Sequence, residues 1–491
     1  MESRAAQRTK NTPPRRKMVN IAFTVLFLLM LALPTVFINV KPNQVSDIDN
    51  RMLTEWMDLQ GPDLASLTAF GKNVSKYYYD RFGFREEMIT ANQVLNDRIF
   101  GLLVHPTYVY GKDRYVYAGF GRATSVDRGF VDAYTDYIKQ MQDYCRERGA
   151  DFLYALNPSK SMLYPEYLPN GVHYSFDYYH FLFQEAVRKG VNAVDLSVPL
   201  LSVKNEKGLP VFNQKYDARH WNMHGAFYGV SAIMEKLSEN NPTLSPLDES
   251  DFTLYYQTET TLPVSHFAIR EETPHYSPKQ LHSVIVNDLD AEIRMGDLYP
   301  EFTQYINPAN PTAPKILVFH GSHINQEVKR YIVDQFSEAA FIRSYHTITD
   351  LPYYFNLFQP DIVVYEVVDW TIHDQFISIP TILDIDLQPA LATFRDLPET
   401  GRFTVSPDSG ADGNGANAAL KRLSYRVSGG DLACAYLKIG EKVYDFEIDC
   451  GNGQCLIAVE LPKKQLAGIA EAEVILIPAA KDGKQTIRMD I

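Results

Sequence analysis

The segment Tyr216-Asp217-Ala218-Arg219-His220-Trp221-Asn222 sets a carboxylate three residues before an imidazole. Asp217 can accept a hydrogen bond from one ring nitrogen of His220 and fix its tautomer, which leaves the other nitrogen to take a proton from a hydroxyl. Such a pair requires a nucleophile. Lys315-Ile316-Leu317-Val318-Phe319-His320-Gly321-Ser322-His323 offers one, because it reads as a buried strand ending in a tight Gly-Ser turn, and a helix-like pattern follows over 325–336. Ser322 then stands at a strand-to-helix junction, where backbone N–H groups can face a substrate. Each residue also has a plainer reading: Asp217 as the cap of a helix that follows Gly225, Ser322 as a turn serine, and His320 and His323 as locally hydrogen-bonded histidines.

The elements that must position these groups belong to an α/β pattern. Helices are expected over 131–148, 176–189 and 226–239, and strands over 151–156, 192–196, 316–320 and 361–367. Strands separated by helices imply a three-layer α/β/α parallel sheet, with reactive groups at the strand C-terminal ends, where Asn157 and Ser322 fall. Residues 241–311 interrupt the pattern with strand-like stretches at 252–257 and 266–270, and are expected to be an insertion in a catalytic region of 108–391. Residues 41–107, mostly helical over 64–100, form a neck or cap. After a Gly-, Asp- and Asn-rich loop at 406–417, short alternating strands at 423–427, 432–439, 444–448, 456–461 and 472–477 predict a C-terminal β-sandwich within 392–491.

The N-terminus points to a compartment. A basic tail, 1–17, holding Arg4, Arg8, Lys10, Arg15, Arg16 and Lys17, precedes an apolar run over 18–40. As a helix that run spans ~35 Å, enough to cross a bilayer. The charge asymmetry places the tail in the cytoplasm and the rest outside, as an uncleaved single-pass anchor; a cleavable signal peptide is the competing reading, but the run is longer than its usual apolar core and lacks a clear small-x-small site before Asn39. A formal charge of −13, without a basic stripe beyond the tail, argues against nucleic acid as a partner. The 31 tyrosines and 27 phenylalanines supply aromatic core, and could also supply faces on which sugar rings stack. Four cysteines are too few for a disulfide framework; Cys450 and Cys455 flank a Gly-rich turn, and either a bridge or two free thiols fits them. No metal-ligand spacing and no cofactor motif is found.

In this order the residues resemble the SGNH-hydrolase-like O-acetyltransferases of bacterial envelope polysaccharides, the AlgX, AlgJ and DHHW group, in which an Asp-His-Trp element precedes the serine. Asp49-Asn50-Arg51-Met52-Leu53, Asp80-Arg81-Phe82-Gly83-Phe84-Arg85, Val109-Tyr110-Gly111-Lys112-Asp113, Asn157-Pro158-Ser159-Lys160, Tyr164-Pro165-Glu166-Tyr167-Leu168-Pro169 and Pro360-Asp361-Ile362-Val363-Val364-Tyr365-Glu366 also match. Two departures stand out: His320-Gly321-Ser322 replaces the usual Gly-Asp-Ser, and the Asp-to-His spacing is one residue longer than in the alginate enzymes. The resemblance implies an SGNH-like fold and a membrane-anchored, extracytoplasmic O-acetyltransferase with Ser322 as nucleophile, His220 as base and Asp217 as its partner. It further implies a polysaccharide or wall-polymer acceptor, a membrane-bound O-acyltransferase as acetyl donor, and a C-terminal carbohydrate-binding module extending the groove. Asn157, Ser159 and Lys160 become candidates for an oxyanion donor, and Arg219, Trp221 and Asn222 for substrate contacts. Hydrolysis by the same residues, or a non-catalytic glycan-binding role, are the alternatives.

Overall fold

The computed structural model describes residues 14–46, 51–105, 107–118, 127–263, 267–296, 300–343, 347–373, 376–408 and 419–490. Arg4, Arg8, Lys10, Asp49, Asn50, His266 and most of the 406–417 loop lie outside these. The chain divides into two compact units, Met1–Gly119 with Thr258–Glu271, and Phe120–Gln257 with Glu272–Ile491.

In the first unit, helix α1 (Pro14–Val36) contains the stretch Lys17–Val36, whose mean hydropathy of 2.3 makes it long and apolar enough to cross a bilayer. It stops short of residue 40 because the backbone beyond it finds other partners: Asn39 N–H donates to the Arg81 carbonyl at 2.7 Å. Strands β1 (Val45–Ser46) and β2 (Arg51–Met52) pair antiparallel before α2 (Leu64–Arg81) and α3 (Arg85–Phe100). The region expected as mostly helical is thus two helices, broken at Phe82-Gly83-Phe84. Gly83 lies so close to Phe37 that an added Cβ would fall 2.6 Å from its Cβ and carbonyl oxygen, and Phe84 turns the chain at φ +58. The pair β3 (Tyr108–Tyr110) and β4 (Val116–Ala118) follows.

From residue 128 onward the order is α4 (Arg128–Glu147), β5 (Asp151–Asn157), α5 (Lys160–Leu163), α6 (Asp177–Arg188), β6 (Ala193–Asp195), α7 (Ser197–Glu206), α8 (Met223–Ser238), a two-stranded ribbon of β7 (Phe252–Thr261) and β8 (Ala268–Pro278), β9 (Val284–Val286), β10 (Glu301–Ile306), β11 (Lys315–His320), α9 (Gln326–Lys329), β12 (Glu338–Arg343), α10 (Leu351–Phe358), β13 (Ile362–Val368) and α11 (Ile379–Leu383). The main sheet has seven strands in the order β6-β5-β13-β11-β12-β10-β9. From β6 to β12 neighbours run parallel, as the helix-separated strands require. The edge departs from the parallel expectation: β10 and β9 join antiparallel, because no crossover helix intervenes between them. Part of the segment expected as an insertion therefore completes the sheet.

Alternation within the buried strands makes the layers. Phe152, Tyr154, Leu156, Leu317, Phe319, Val363 and Tyr365 share one core with α4, α6 and α10. The alternate residues Ile316, Val318 and Val364 meet Val230, Ile233, Met234 and Leu237 of α8 on the other face. The helix expected over 325–336 is only one turn, α9, followed by a short 3-10 turn at Val333–Gln335. Tyr331, Ile332 and Val333 are consecutive and all buried, a pattern that a regular helix would spread around its circumference.

The C-terminal strands β14 (Thr404–Pro407), β15 (Leu420–Ser428), β16 (Leu432–Ile439), β17 (Lys442–Asp445), β18 (Glu447–Gly451), β19 (Gln454–Pro462), β20 (Glu471–Pro478) and β21 (Gln485–Asp490), with α12 (Lys463–Leu466), form two four-stranded sheets. Val427, Ile457 and Val459 of one and Leu437, Val474 and Leu476 of the other share a single apolar core. Cys450 and Cys455 face each other on β18 and β19 and form a disulfide. Asp445 anchors this region: its carboxylate takes Arg148 at 2.9 Å, and its backbone exchanges two hydrogen bonds with the Asn356 side chain. Arg148 and Asn356 lie just before the starts of β5 and β13, at the end of the sheet opposite Ser322. The expected extension of a groove at Ser322 is thus not what these contacts provide.

Candidate active site

Two elements bring Asp217, His220 and Ser322 together. Strand β11 ends at His320 and its turn presents Ser322, half-buried, at the C-terminal edge of the sheet. The loop before α8 supplies the other two residues. Asp217 adopts φ +50, a left-handed conformation that Asp tolerates better than most side chains. This turn lets Asp217 Oδ1 accept the backbone N–H groups of Arg219 and His220, each at 3.2 Å, while Oδ2 lies 2.7 Å from His220 Nδ1. On the far side of the ring, Nε2 lies 2.7 Å from Ser322 Oγ. A proton on Nδ1, facing the carboxylate, leaves Nε2 as the acceptor of the Ser322 hydroxyl proton. Burial pushes the Asp217 carboxyl up, but the His220 charge and hydrogen bond, with the two backbone donors, outweigh it and hold the group below its ordinary range. The Asp217 and His220 side chains keep 27% and 29% exposure, so a substrate can reach them.

Trp221 and Asn222 fix the two halves against each other. The indole N–H of Trp221 donates to the His323 carbonyl at 3.0 Å, tying the loop that carries His220 to the one that carries Ser322. The indole lies on a smooth stretch of α8, where a Cβ on Gly229 would come within 2.5 Å of the ring and one on Gly225 within 2.4 Å of the Val211 carbonyl oxygen. Asn222 caps α8 by accepting from Gly225 N–H at 3.0 Å and donates from its amide to Pro210 O at 2.7 Å.

Beneath these residues lies a buried polar layer. Glu366 on β13 accepts from Gly321 N–H and from the Asn157 amide, both at 3.1 Å. Burial pushes its carboxyl up to about 7 against those bonds. Asp369, just past β13, accepts from Ser159 at 3.1 Å, from the Tyr174 hydroxyl, and from Trp370 N–H at 2.7 Å; burial, opposed by these donors, raises it to about 6. His320 and His323 are buried. Burial first, then the Lys329 charge, lowers His320 to about 3; burial and the neighbouring His220 hold His323 well below its ordinary value. Both are neutral imidazoles near neutral pH, and the His323 ring sits edge-on to His220 with centroids 5.0 Å apart.

The remaining candidates thus have different surroundings. Asn157 is fully buried against Glu366, Ser159 is buried against Asp369, and the Lys160 ammonium donates to Gln214 O at 3.1 Å. These contacts turn all three inward, in place of the open oxyanion position expected of them. Trp221 and Asn222 are likewise buried and occupied with protein partners. Arg219 alone of this group is exposed, its guanidinium 5.8 Å from the centre of the half-buried Trp370 ring. Glu366 enters the sequence reading only as the end of a matching fragment, without a role, and Asp369 and Trp370 do not enter it, although their place at and just beyond the end of an apolar strand is the signal that could have found them. Among the described residues, the group with metal-like donors is Asp431, Cys450 and Cys455, whose two thiols are consumed by the disulfide.

Residues 109–301 match the family described as SGNH hydrolase-like domain, acetyltransferase AlgX, so this part of the chain is similar to that family. Among solved structures it is similar to Bacillus cereus PatB1 at 17% identity and a TM-score of 0.44, covering 54% of this chain and 97% of that one. It is also similar to the O-acetyltransferase domain of Pseudomonas putida AlgJ, at 17% identity and a TM-score of 0.40 over 57% and 99%. A DHHW family protein from Eubacterium siraeum aligns at 12% identity and a TM-score of 0.41 over 58% and 98%. No curated protein matches the chain.

Proposed function

We propose that this chain is an O-acetyltransferase that carries the acyl group on Ser322 and delivers it to a hydroxyl of an envelope polysaccharide or wall polymer. The observation that carries this reading is the pair of 2.7 Å contacts in series, from Asp217 to His220 and from His220 to Ser322. Ser322 Oγ attacks the acyl carbonyl carbon as its proton passes to His220 Nε2, and that proton then leaves with the departing group. Asp217, held ionised, stabilises the transient imidazolium. In the second half an acceptor hydroxyl gives its proton to His220 and attacks the acyl-serine carbonyl, and the proton returns to Ser322 Oγ as the ester forms.

Acetyl is the group named by the matched family. A multi-spanning membrane O-acyltransferase is the donor under this reading, and exposed Arg219 beside Trp370 is where an acceptor with a charged group and a sugar face meets the site. The basic tail stays in the cytoplasm, α1 spans the bilayer, and the domain works outside. The C-terminal sheets act as a sandwich that binds glycan independently of the Ser322 site, since their anchors lie at the other end of the main sheet. The test is to supply the detergent-solubilised full chain with an activated acetyl ester and oligosaccharides carrying carboxylate groups and to measure acetylated sugar against free acetate. Sugar esters that vanish in Ser322→Ala support transfer. Free acetate alone assigns the same residues to hydrolysis, and neither product above the Ser322→Ala level overturns the enzyme reading.

A further inference from the structure

The first unit holds the end of α1 rigidly against the α2–α3 turn. Gly83 N–H donates to the Pro34 carbonyl at 2.7 Å, the Thr35 and Tyr78 hydroxyls lie 2.7 Å apart, and the buried Arg81 guanidinium donates to the Lys41 carbonyl at 2.6 Å. The Phe37 and Phe84 rings meet edge to face at 5.3 Å, and Gly83 leaves no room there for a side chain. These contacts fix the turn at the level where the apolar stretch stops. The 20 residues of Lys17–Val36 span about 30 Å, the thickness of a bilayer's hydrocarbon core. Phe37, Tyr78, Tyr79 and Phe84 are all exposed at that level, where aromatic rings favour the boundary of lipid and water. From Phe84 onward, Met88, Leu95 and Ile99 recur at helical spacing on one face of α3 and are 42%, 55% and 62% exposed. Exposed Glu87 and Arg98 lie together along one margin of that stripe and exposed Asn92 along the other, as a helix with one face in lipid and its margins among headgroups requires.

We propose that α3 is an interfacial helix, lying on the bilayer beside the end of α1 with Phe84, Met88, Leu95 and Ile99 seated in lipid. The inference stands on α1 crossing the membrane and is independent of the reaction at Ser322. It makes this part of the expected neck or cap a membrane-bound collar.

The test is spin labelling of the full chain reconstituted in phosphatidylethanolamine–phosphatidylglycerol vesicles, with single substitutions Met88→Cys, Leu95→Cys and Ile99→Cys. Leu29→Cys serves as the lipid reference and Glu441→Cys as the water reference. The native Cys145 and Cys434 are buried, and burial raises both thiols, so they do not compete for label. Collision with oxygen, which concentrates in lipid, is compared with collision with a water-soluble nickel chelate. The expected result is an oxygen-to-nickel ratio at positions 88, 95 and 99 several-fold above that at 441 and approaching that at 29. Water-like ratios on α3 with lipid-like values at 29 overturn the proposal while leaving the anchor in place. Shielding of α3 from both reagents also overturns it, because a second protein surface then covers the stripe. A water-like ratio at position 29 removes the anchor and the proposal together.

Discussion

Two sets of polar residues meet at the end of the main sheet, and they differ in exposure more than in chemistry. Asp217, His220 and Ser322 bond to one another in series and remain partly open to solvent. Glu366, Asn157, Asp369 and Ser159, directly beneath, are buried and bond to one another or to backbone. The Asp217 carboxylate faces the imidazole that it orients, whereas Glu366 and Asp369 accept N–H and O–H donors from neighbouring loops and hold those loops in place. The contrast teaches that residue type alone does not separate reacting groups from supporting ones. Asp217 is held ionised by a partner that changes charge, whereas Glu366 accepts from the Gly321 N–H and the Asn157 amide and is pushed by burial toward its neutral form.

The largest effect that can break this contrast belongs to Ser322. Ser322→Ala should lower turnover by on the order of 10⁴-fold or more in ester-cleavage kinetics, with the melting temperature nearly unchanged. Asp217→Asn comes next: a loss of on the order of 10²- to 10⁴-fold, carried in kcat rather than KM, because the amide presents His220 with the wrong hydrogen-bonding partner. Trp221→Phe should be smaller and of mixed kind. Losing the indole donor leaves the His323 carbonyl unpaired, and urea unfolding should report a stability loss of about 1–3 kcal/mol, with a partial fall in turnover.

The supporting layer should give the smallest effect, visible in pH dependence. The Glu366 carboxyl lies at about 7 in the folded chain, above its ordinary value of 4.5. Between those values the folded state holds a proton that the unfolded state releases, so stability falls as pH rises through this window and stays lower above it. Glu366→Gln keeps an acceptor for Gly321 N–H and can donate to the unpartnered Asn157 Oδ1. Denaturant midpoints of the variant should lack that decline. An equal decline in both proteins assigns it to another group.

The sequence makes the first set far easier to read than the second. Asp217 and His220 are three residues apart, and a Gly-Ser turn ending an apolar strand is a local signal, so their types and spacing single them out as candidates. Glu366 is joined to Ser322 only through the register that sets β13 beside β11, which no local pattern encodes. The layers were legible for a similar reason: strand alternation and amphipathic helices are local, while the antiparallel edge of β10 and β9 depends on which strands the chain has already placed. Asn157, Ser159 and Lys160 stand at a strand end, where ligands commonly bind, and only the partners supplied by Glu366, Asp369 and Gln214 reveal that they face inward.

The central claim is that Ser322 carries the acyl group, and covalent capture tests it most directly. The full chain, treated with an activated acetyl ester and quenched in acid, should yield by peptide mass spectrometry a single acetyl adduct on the peptide containing Ser322. That adduct should be absent in Ser322→Ala and strongly reduced in His220→Ala. An adduct on another residue, or equal labelling of the parent and Ser322→Ala, would contradict the account.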